Sequence, residues 1–440
     1  MAESTSCEIG VSALDRAHTL RLAGENEPAL RLASGILEAT SGDVGAAYLV
    51  ARLLWDAKRP RLVASSSIAL LERFIRRGDL GAACVCAQLA SEAGADHTAL
   101  LADIARAFGA GSSRVGDAPA LPPPLPSPVT LSPERGVALQ EAAERALARF
   151  IAVPDGLPED TRLPCLPLFG ALAPPVLSKL LAVLVLREYS AGHAVVRQGE
   201  DGCEAFLLVR GTLNVVREEP AASATLLAQL RPPALFGEMA LVSRAPRAAS
   251  VVTIDPAQVL MATRTQLELL AQSDPTIGRE LGQFCQRRML TNLLRHSPIL
   301  SAVEPAQRPR LMARFTARSF SAGEPLLRQG DEGGRLFVIA SGLVEVRRTD
   351  SDGDAVVVVQ LGPGEVVGEI SLVLRQPATA DAIALHNTVA LELQWSEFHE
   401  AIREYPGLLQ QLYAIATERE AETRSVVAQE AMDISDAVLL

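Results

Sequence analysis

At 440 residues the chain is too long for one ordinary core, and its length points to about three domains. Hydrophobic residues make up 48% of it and aromatics only 4%, which favours close-packed helices and small cores over large aromatic ones. With 41 Lys and Arg against 52 Asp and Glu the net charge is −11, so no global basic field draws in nucleic acid or anionic lipid.

The start, MAESTSCEIGVS, lacks the basic head and apolar stretch of a signal peptide, and no uncharged apolar run approaches the roughly 18 residues of a spanning helix. A soluble, cytoplasmic protein without membrane insertion is expected. Six scattered cysteines in so long a chain read as reduced thiols, and Cys84 and Cys86 have the wrong spacing for a CxxC knuckle.

Residues 1–112 read as helices. VSALDRAHTLRLAG, EPALRLASGILEA, GAAYLVARLLWDA, SIALLERFIRRG, LGAACVCAQLASEAG and HTALLADIARAFGAG each repeat apolar residues at three and four and end near glycine or charge. The small-residue pattern resembles a tetratricopeptide-like array, whose stacked hairpins would hold a protein partner; a plain bundle is the alternative. Arg76 and Arg77, followed by Gly78 and Asp79, read as the solvated end of one of these helices.

Residues 113–133 form a proline-rich linker, extended and semi-rigid, centred on GDAPALPPPLPSPVTLSPE. Its end at Ser132, Pro133 and Glu134 carries an N-cap, a first-turn proline and an acid for the dipole. The helix so opened, through Val137, Leu139, Ala143, Leu147 and Phe150, leads into a domain over 134–295, and a further domain covers 296–440.

From Pro167 the chain repeats itself. Pro167 and Pro298, Gly192 and Gly323, Phe206 and Phe337, Gly237 and Gly368, and Pro275 and Pro406 are all separated by one interval, 298 − 167 = 131, with no gap. Within each copy short alternating runs such as HAVVRQG, AFLLVRG and TLNVVRE sit between glycines, and helical patterns flank them. Each copy therefore reads as an antiparallel roll of about eight strands, jelly-roll-like, with flanking helices. The chain as a whole is α+β and multidomain, with an all-α N-terminal array before the two rolls.

The stretch FGEMALVSRAPRAASV places Glu238 beside Gly237 and Arg247 nine residues on. A guanidinium can hold two phosphate oxygens, and a carboxylate beside it suits a hydroxyl donor, so the pair describes a sugar phosphate. This stretch resembles the phosphate-binding cassette of the cyclic nucleotide-binding domain, and GHAVVRQGEDGCEAFLLVRGTLNV resembles that family's roll. The resemblance implies a ligand site of Phe236, Gly237, Glu238, Met239, Ala240, Arg247, Ala248 and Ala249, with Arg247 and the amides after Glu238 on the phosphate and Glu238 on the ribose hydroxyl. Ala248 stands where relatives that prefer cyclic GMP often carry threonine, which favours cyclic AMP. In the alternative reading, Glu238 and Arg247 form a structural ion pair in a scaffold that binds nothing.

The second copy, VGEISLVLRQPATADA, keeps Glu369 but puts Ala378 where Arg247 stands and Thr379 where Ala248 stands. Loss of a charged partner to a buried phosphate predicts binding weakened roughly a hundredfold. The second copy therefore reads as degenerate, structural or selective for something else, with a weak second site at Gly368, Glu369, Ile370, Ser371, Thr379 and Ala380 as the alternative; Asp381 further opposes an anion, and Arg375 reads as a surface residue.

No residues are spaced for catalysis, a metal or a cofactor beyond the nucleotide, and each of the six histidines reads as surface or turn. The 34 residues after Pro406 are too few for a helix-turn-helix, so no DNA partner is expected. The helix from Pro275 through Phe284, Cys285 and Met289 to Leu294 is the expected transmitter. Tandem copies also resemble the regulatory subunit of cyclic AMP-dependent protein kinase, although the linker lacks that family's basic inhibitor sequence. A cyclic nucleotide receptor acting on a protein partner, and not an enzyme, is the resulting expectation.

Overall fold

The computed structural model describes residues 12–116, 131–154, 156–157, 161–164, 166–219, 222–239, 241, 246–332, 334–349 and 355–421. Contacts divide the chain into two compact units: 1–197 with 204–236 and 249–281, and 198–203 with 237–248 and 282–440.

In the first unit six helices follow one another, α1 (Ala13–Leu22), α2 (Asn26–Ala39), α3 (Val44–Asp56), α4 (Val63–Arg77), α5 (Leu80–Glu92) and α6 (His97–Phe108), each packed on the next. Their starts follow the local chemistry: Ser12, Asp43, Asp79 and Asp96 each accept a backbone N–H of the first turn. Gly78 ends α4 in the left-handed conformation at φ +78°, so Arg76 and Arg77 do close a helix.

Helix α7 (Gly136–Ala152) departs from the sequence reading at its start. Ser132 does not cap it. The Ser132 N–H donates to Arg31 O at 3.0 Å and its carbonyl accepts from Arg31 Nε at 3.1 Å, which ties this stretch to α2 and delays the helix to Gly136. Leu139, Ala143, Leu147 and Phe150 are buried as expected, and α7 packs on α2, α3 and α4. Arg73 fastens its far end, donating to the carbonyls of Phe150 and Val153 with its guanidinium 3.7 Å from the Phe150 ring.

The first roll follows α8 (Pro174–Ala182). Its strands are β3 (Val185–Tyr189), β4 (Ala194–Val196), β5 (Glu204–Arg210), β6 (Leu213–Glu219), β7 (Ala222–Leu230), β8 (Ala234–Phe236), β9 (Ser250–Thr253) and β10 (Ala257–Thr263); a short parallel pair, β1 (Val115–Gly116) and β2 (Leu163–Pro164), precedes them. They form two four-stranded antiparallel sheets, ordered β3-β10-β5-β8 and β4-β9-β6-β7. Val196, Phe206, Leu208, Leu213, Phe236 and Val259 fill the space between them. Phe206 and Phe236 are register partners and stack at 5.0 Å, an aromatic pair worth about 0.5–1.5 kcal/mol beyond its buried area.

The N-terminal helices are seated directly on this roll. Arg210 pairs with Asp15 and Arg21 with Glu188, while Gln258 Nε2 donates to Glu188 at 2.8 Å and Gln88 Nε2 to Leu184 O at 2.8 Å. His18 lies beneath this layer and is only 2% exposed, which corrects the surface placement read for every histidine. Burial first, and then the charges of Arg210 and Arg21, hold its pKa well below the usual imidazole value.

In the second unit the roll recurs as β11 (Thr316–Phe320), β12 (Pro325–Leu327), β13 (Arg335–Ser341), β14 (Val344–Thr349), β15 (Ala355–Leu361), β16 (Val366–Val367), β17 (Asp381–Ala384) and β18 (Thr388–Gln394). The sheets are β11-β18-β13-β16 and β12-β17-β14-β15, the first roll's order shifted by one repeat. Helix α9 (Arg264–Ser273) follows the first roll and Trp395–Glu404 the second; then come α10 (Pro275–His296) and a helix over 406–421. Leu409, Leu412 and Ile415 lie in that last helix, whereas Val426 falls outside the described residues.

Candidate nucleotide site and its second copy

Phe236 is buried in the core of the first roll, and Gly237 turns the chain after it at φ +77°, a region open to glycine at no steric cost. Glu238 follows, 4% exposed, and Leu241 N–H donates to its carbonyl at 3.1 Å, forming a short helical turn. Ala240 lies outside the described residues. Met239 packs against the cluster that contains Met289, Leu293 and Leu300. Ala248 is exposed and Ala249 half-buried.

Arg247 is 8% exposed. Its backbone is clamped by the loop over 198–203: Arg247 N–H donates to Glu200 O, and Gly199 N–H donates to Arg247 O, both at 2.9 Å. The side chain runs across Gly202, where a Cβ would stand 2.3 Å from Nε and 2.4 Å from Cζ, and Nη1 donates to Gly237 O at 3.0 Å. The guanidinium is thus bound to the carbonyl that opens the cassette. Arg247 and Glu238, nine residues apart, are brought to one place by a strand turn and a loop from upstream.

Glu238 has a further partner that residue-by-residue reading missed. Arg288 Nε, on α10, donates to Glu238 Oε1 at 3.3 Å, and Cys285 Sγ lies 3.8 Å from Glu238 O. Burial and the Glu238 charge push the Cys285 thiol up to about 12, so it is an apolar filler beside the carboxylate.

The second copy keeps the backbone frame and loses the cation. Gly368 sits at φ +90°, Ala378 N–H donates to Asp331 O at 3.0 Å, and Gly330 N–H donates to Ala378 O at 2.8 Å, each bond one repeat on from its counterpart. The six residues read as a weak second site, Gly368, Glu369, Ile370, Ser371, Thr379 and Ala380, all line one cavity. Arg375 is exposed, as read, with its guanidinium 5.9 Å from the Trp395 ring.

Arg419, from the helix over 406–421, also lines that cavity. Its Nη1 donates to Glu369 Oε1 at 3.0 Å and to the Val366 carbonyl, and its Nη2 lies 3.6 Å from Glu365. Burial raises the Glu369 pKa, with Arg419 opposing. Arg288 and Arg419 are one repeat apart, 419 − 288 = 131, so the same arginine-to-glutamate contact is built twice. The tandem spacing was the available signal for both.

Among the described residues no helix is long and apolar enough to cross a membrane, and no group of three or more His, Cys, Asp or Glu is placed to hold a metal ion.

The family profile described as "Cyclic nucleotide-binding domain" matches residues 186–274 and 317–405, one span in each roll. The cAMP-dependent protein kinase type II regulatory subunit of Drosophila melanogaster is 30% identical over 226 residues, covering 51% of this chain and 56% of that protein. The cAMP-dependent protein kinase regulatory subunit of Dictyostelium discoideum is 28% identical over 294 residues, 66% of this chain and 80% of that one. Among solved structures, the regulatory domain of Toxoplasma gondii PKA with cAMP aligns at 21% identity over 57% of this chain and 92% of its own, with a TM-score of 0.28.

Proposed function

From a chain that carries two cyclic nucleotide-binding domains in tandem, we propose a cytoplasmic cyclic nucleotide receptor that regulates a protein partner and is not itself an enzyme. The first domain is its sensor and cyclic AMP its preferred ligand. The observation that carries this reading is the seat of Arg247: an arginine only 8% exposed, with its backbone clamped to Gly199 and Glu200, beside the buried Glu238. A phosphate monoanion at Arg247 gains charge-assisted bonds in a partly dry site, and Glu238 accepts the adjacent ribose hydroxyl. Ala248, small and without a hydroxyl, supports adenine over guanine.

The contacts of Arg288 and Cys285 to Glu238 support α10 as the transmitter, because a hydroxyl on Glu238 competes with Arg288 for the same carboxylate. The N-terminal helices, tied to the first roll by Arg210–Asp15 and Arg21–Glu188, are the proposed partner-holding element. The names of the relatives, regulatory subunits of cAMP-dependent kinases, support a regulatory role. The proline-rich segment before the first roll lacks a basic inhibitor sequence, so inhibition of a kinase through that segment is not part of the proposal.

Calorimetric titration of the full chain with cyclic AMP and cyclic GMP tests this. Micromolar binding of cyclic AMP, weakened at least a hundredfold by Arg247→Ala, is the expected result. Absence of heat at millimolar ligand would leave a scaffold that keeps the rolls for their surfaces.

A further inference from the structure

Helix α1 meets the first roll through a stripe of three ionisable residues. Asp15, His18 and Arg21 stand at i, i+3 and i+6, so they project from one face of the helix. The outer two are bound by the roll: Asp15 by Arg210 on β5, which also donates to the Pro256 carbonyl at 2.9 Å, and Arg21 by Glu188 on β3. His18, only 2% exposed, is enclosed between these two pairs. Away from the stripe, Ala13 and Ala17 are buried, Leu14 packs over Gly45 of α3, and Arg16 is exposed.

The carboxylates around this layer are already matched. Glu188 accepts from Arg21 and, at 2.8 Å, from Gln258 Nε2, which also lies 3.4 Å from the Tyr48 hydroxyl of α3. Arg52 holds Asp56 at 3.3 Å and Glu92 of α5 at 3.0 Å, and Arg21 Nη1 stands 3.9 Å from Asp56. Asp43 caps α3, and Asp255 accepts from Thr212 N–H. Burial raises the pKa values of Tyr48 and of Cys86 on α5, so neither carries charge near neutrality. On α2, Glu27 and Glu38 are exposed and Arg31 is spent on the Ser132 carbonyl. The charges that act most on the imidazole are therefore those of Arg210 and Arg21, and both oppose a proton there.

We propose that α1 is a pH-released clasp, which seats on the first roll while His18 is neutral and lets go of it when His18 gains a proton. Protonation sets a third cation between two guanidiniums in a layer closed to water, where repulsion is poorly screened. In the released helix the imidazole is solvated and titrates near its ordinary value of about 6.5. Docking is therefore tightest above that pH and weakens about tenfold for each unit below it, down to the depressed pKa of the docked form. At 10 residues, α1 is too short to persist as a helix without its support, so release also frees its amides.

The proposal is independent of nucleotide binding at Arg247, and its test needs no ligand. Amide hydrogen–deuterium exchange of the full chain is followed at pH 7.5 and 5.5, with rates corrected for the intrinsic pH dependence of exchange. Amides of α1 are expected to lose protection about tenfold at pH 5.5 while those of α4 keep theirs. His18→Gln should abolish the pH-dependent loss in α1. Exchange of the imidazole C2 hydrogen in the unsubstituted protein reads the His18 titration directly, which keeps the test decisive if His18→Gln does not fold; its midpoint should lie below about 6.5. Equal protection of α1 at both pH values, an equal loss in α4, a loss in α1 that persists in His18→Gln, or an imidazole midpoint at or above the ordinary value each overturns the proposal.

Discussion

Gly202→Ala isolates the seat of the Arg247 guanidinium without touching Arg247 itself. The added methyl would lie 2.3 Å from Nε, 2.4 Å from Cζ and 2.9 Å from Cδ, while ordinary contact needs about 3.5 Å or more. The arginine tip must therefore move by roughly an ångström. What it meets is the far end of a flexible side chain and not backbone, so the fold should lose little, within about 1 kcal/mol. Displacing the guanidinium forfeits one or two charge-assisted bonds to a phosphate, about 1.5–3 kcal/mol each, or roughly ten- to a hundredfold in affinity per bond. The assay is calorimetric titration with cyclic AMP alongside thermal unfolding of the same preparation. Unchanged affinity in Gly202→Ala, with Arg247→Ala still defective, would show that the ligand engages Arg247 in a different pose.

Two further outcomes are expected. His18 is held neutral by burial and by Arg210 and Arg21, so its folded pKa lies below the unfolded value near 6.5; the stability it contributes is intact above pH 6.5 and is lost as pH falls below it. Denaturant unfolding at pH 7.5 and 5.5 should show a loss of about 1.4 kcal/mol that His18→Gln abolishes, with Asp15, Glu188 and Tyr48 unchanged in both proteins; identical losses would place the proton elsewhere. Ala378→Arg restores the missing cation on a backbone already held by Gly330 and Asp331, so cyclic AMP stoichiometry should rise towards two per chain. An unchanged stoichiometry would mean that the Arg419–Glu369 pair closes the cavity to anions by itself.

Much of this protein was legible as one-dimensional pattern. The interval of 131 residues, the glycines at its turns and the alternating runs between them specified two rolls, because a strand's faces and a left-handed turn are local properties of the chain. Glu238 and Arg247 stood out for the same reason: charged residues in a small, apolar stretch are costly unless a partner meets them. Helix α7 was legible as a helix but not in its start, since the bonds that displaced its cap come from Arg31, a hundred residues away.

Only the tertiary structure decided which groups those charges meet. Arg288 and Arg419 reach the cassette glutamates from helices fifty residues downstream, 288 − 238 = 50, and the loop over 198–203 comes from upstream to seat Arg247. His18 looked like a surface residue until its helix was laid on the roll. Periodicity reports which face of an element is apolar, but the partner of a charge is set by chain segments that approach through space. Contacts of that kind leave no local signature, although here the duplication wrote the arginine twice.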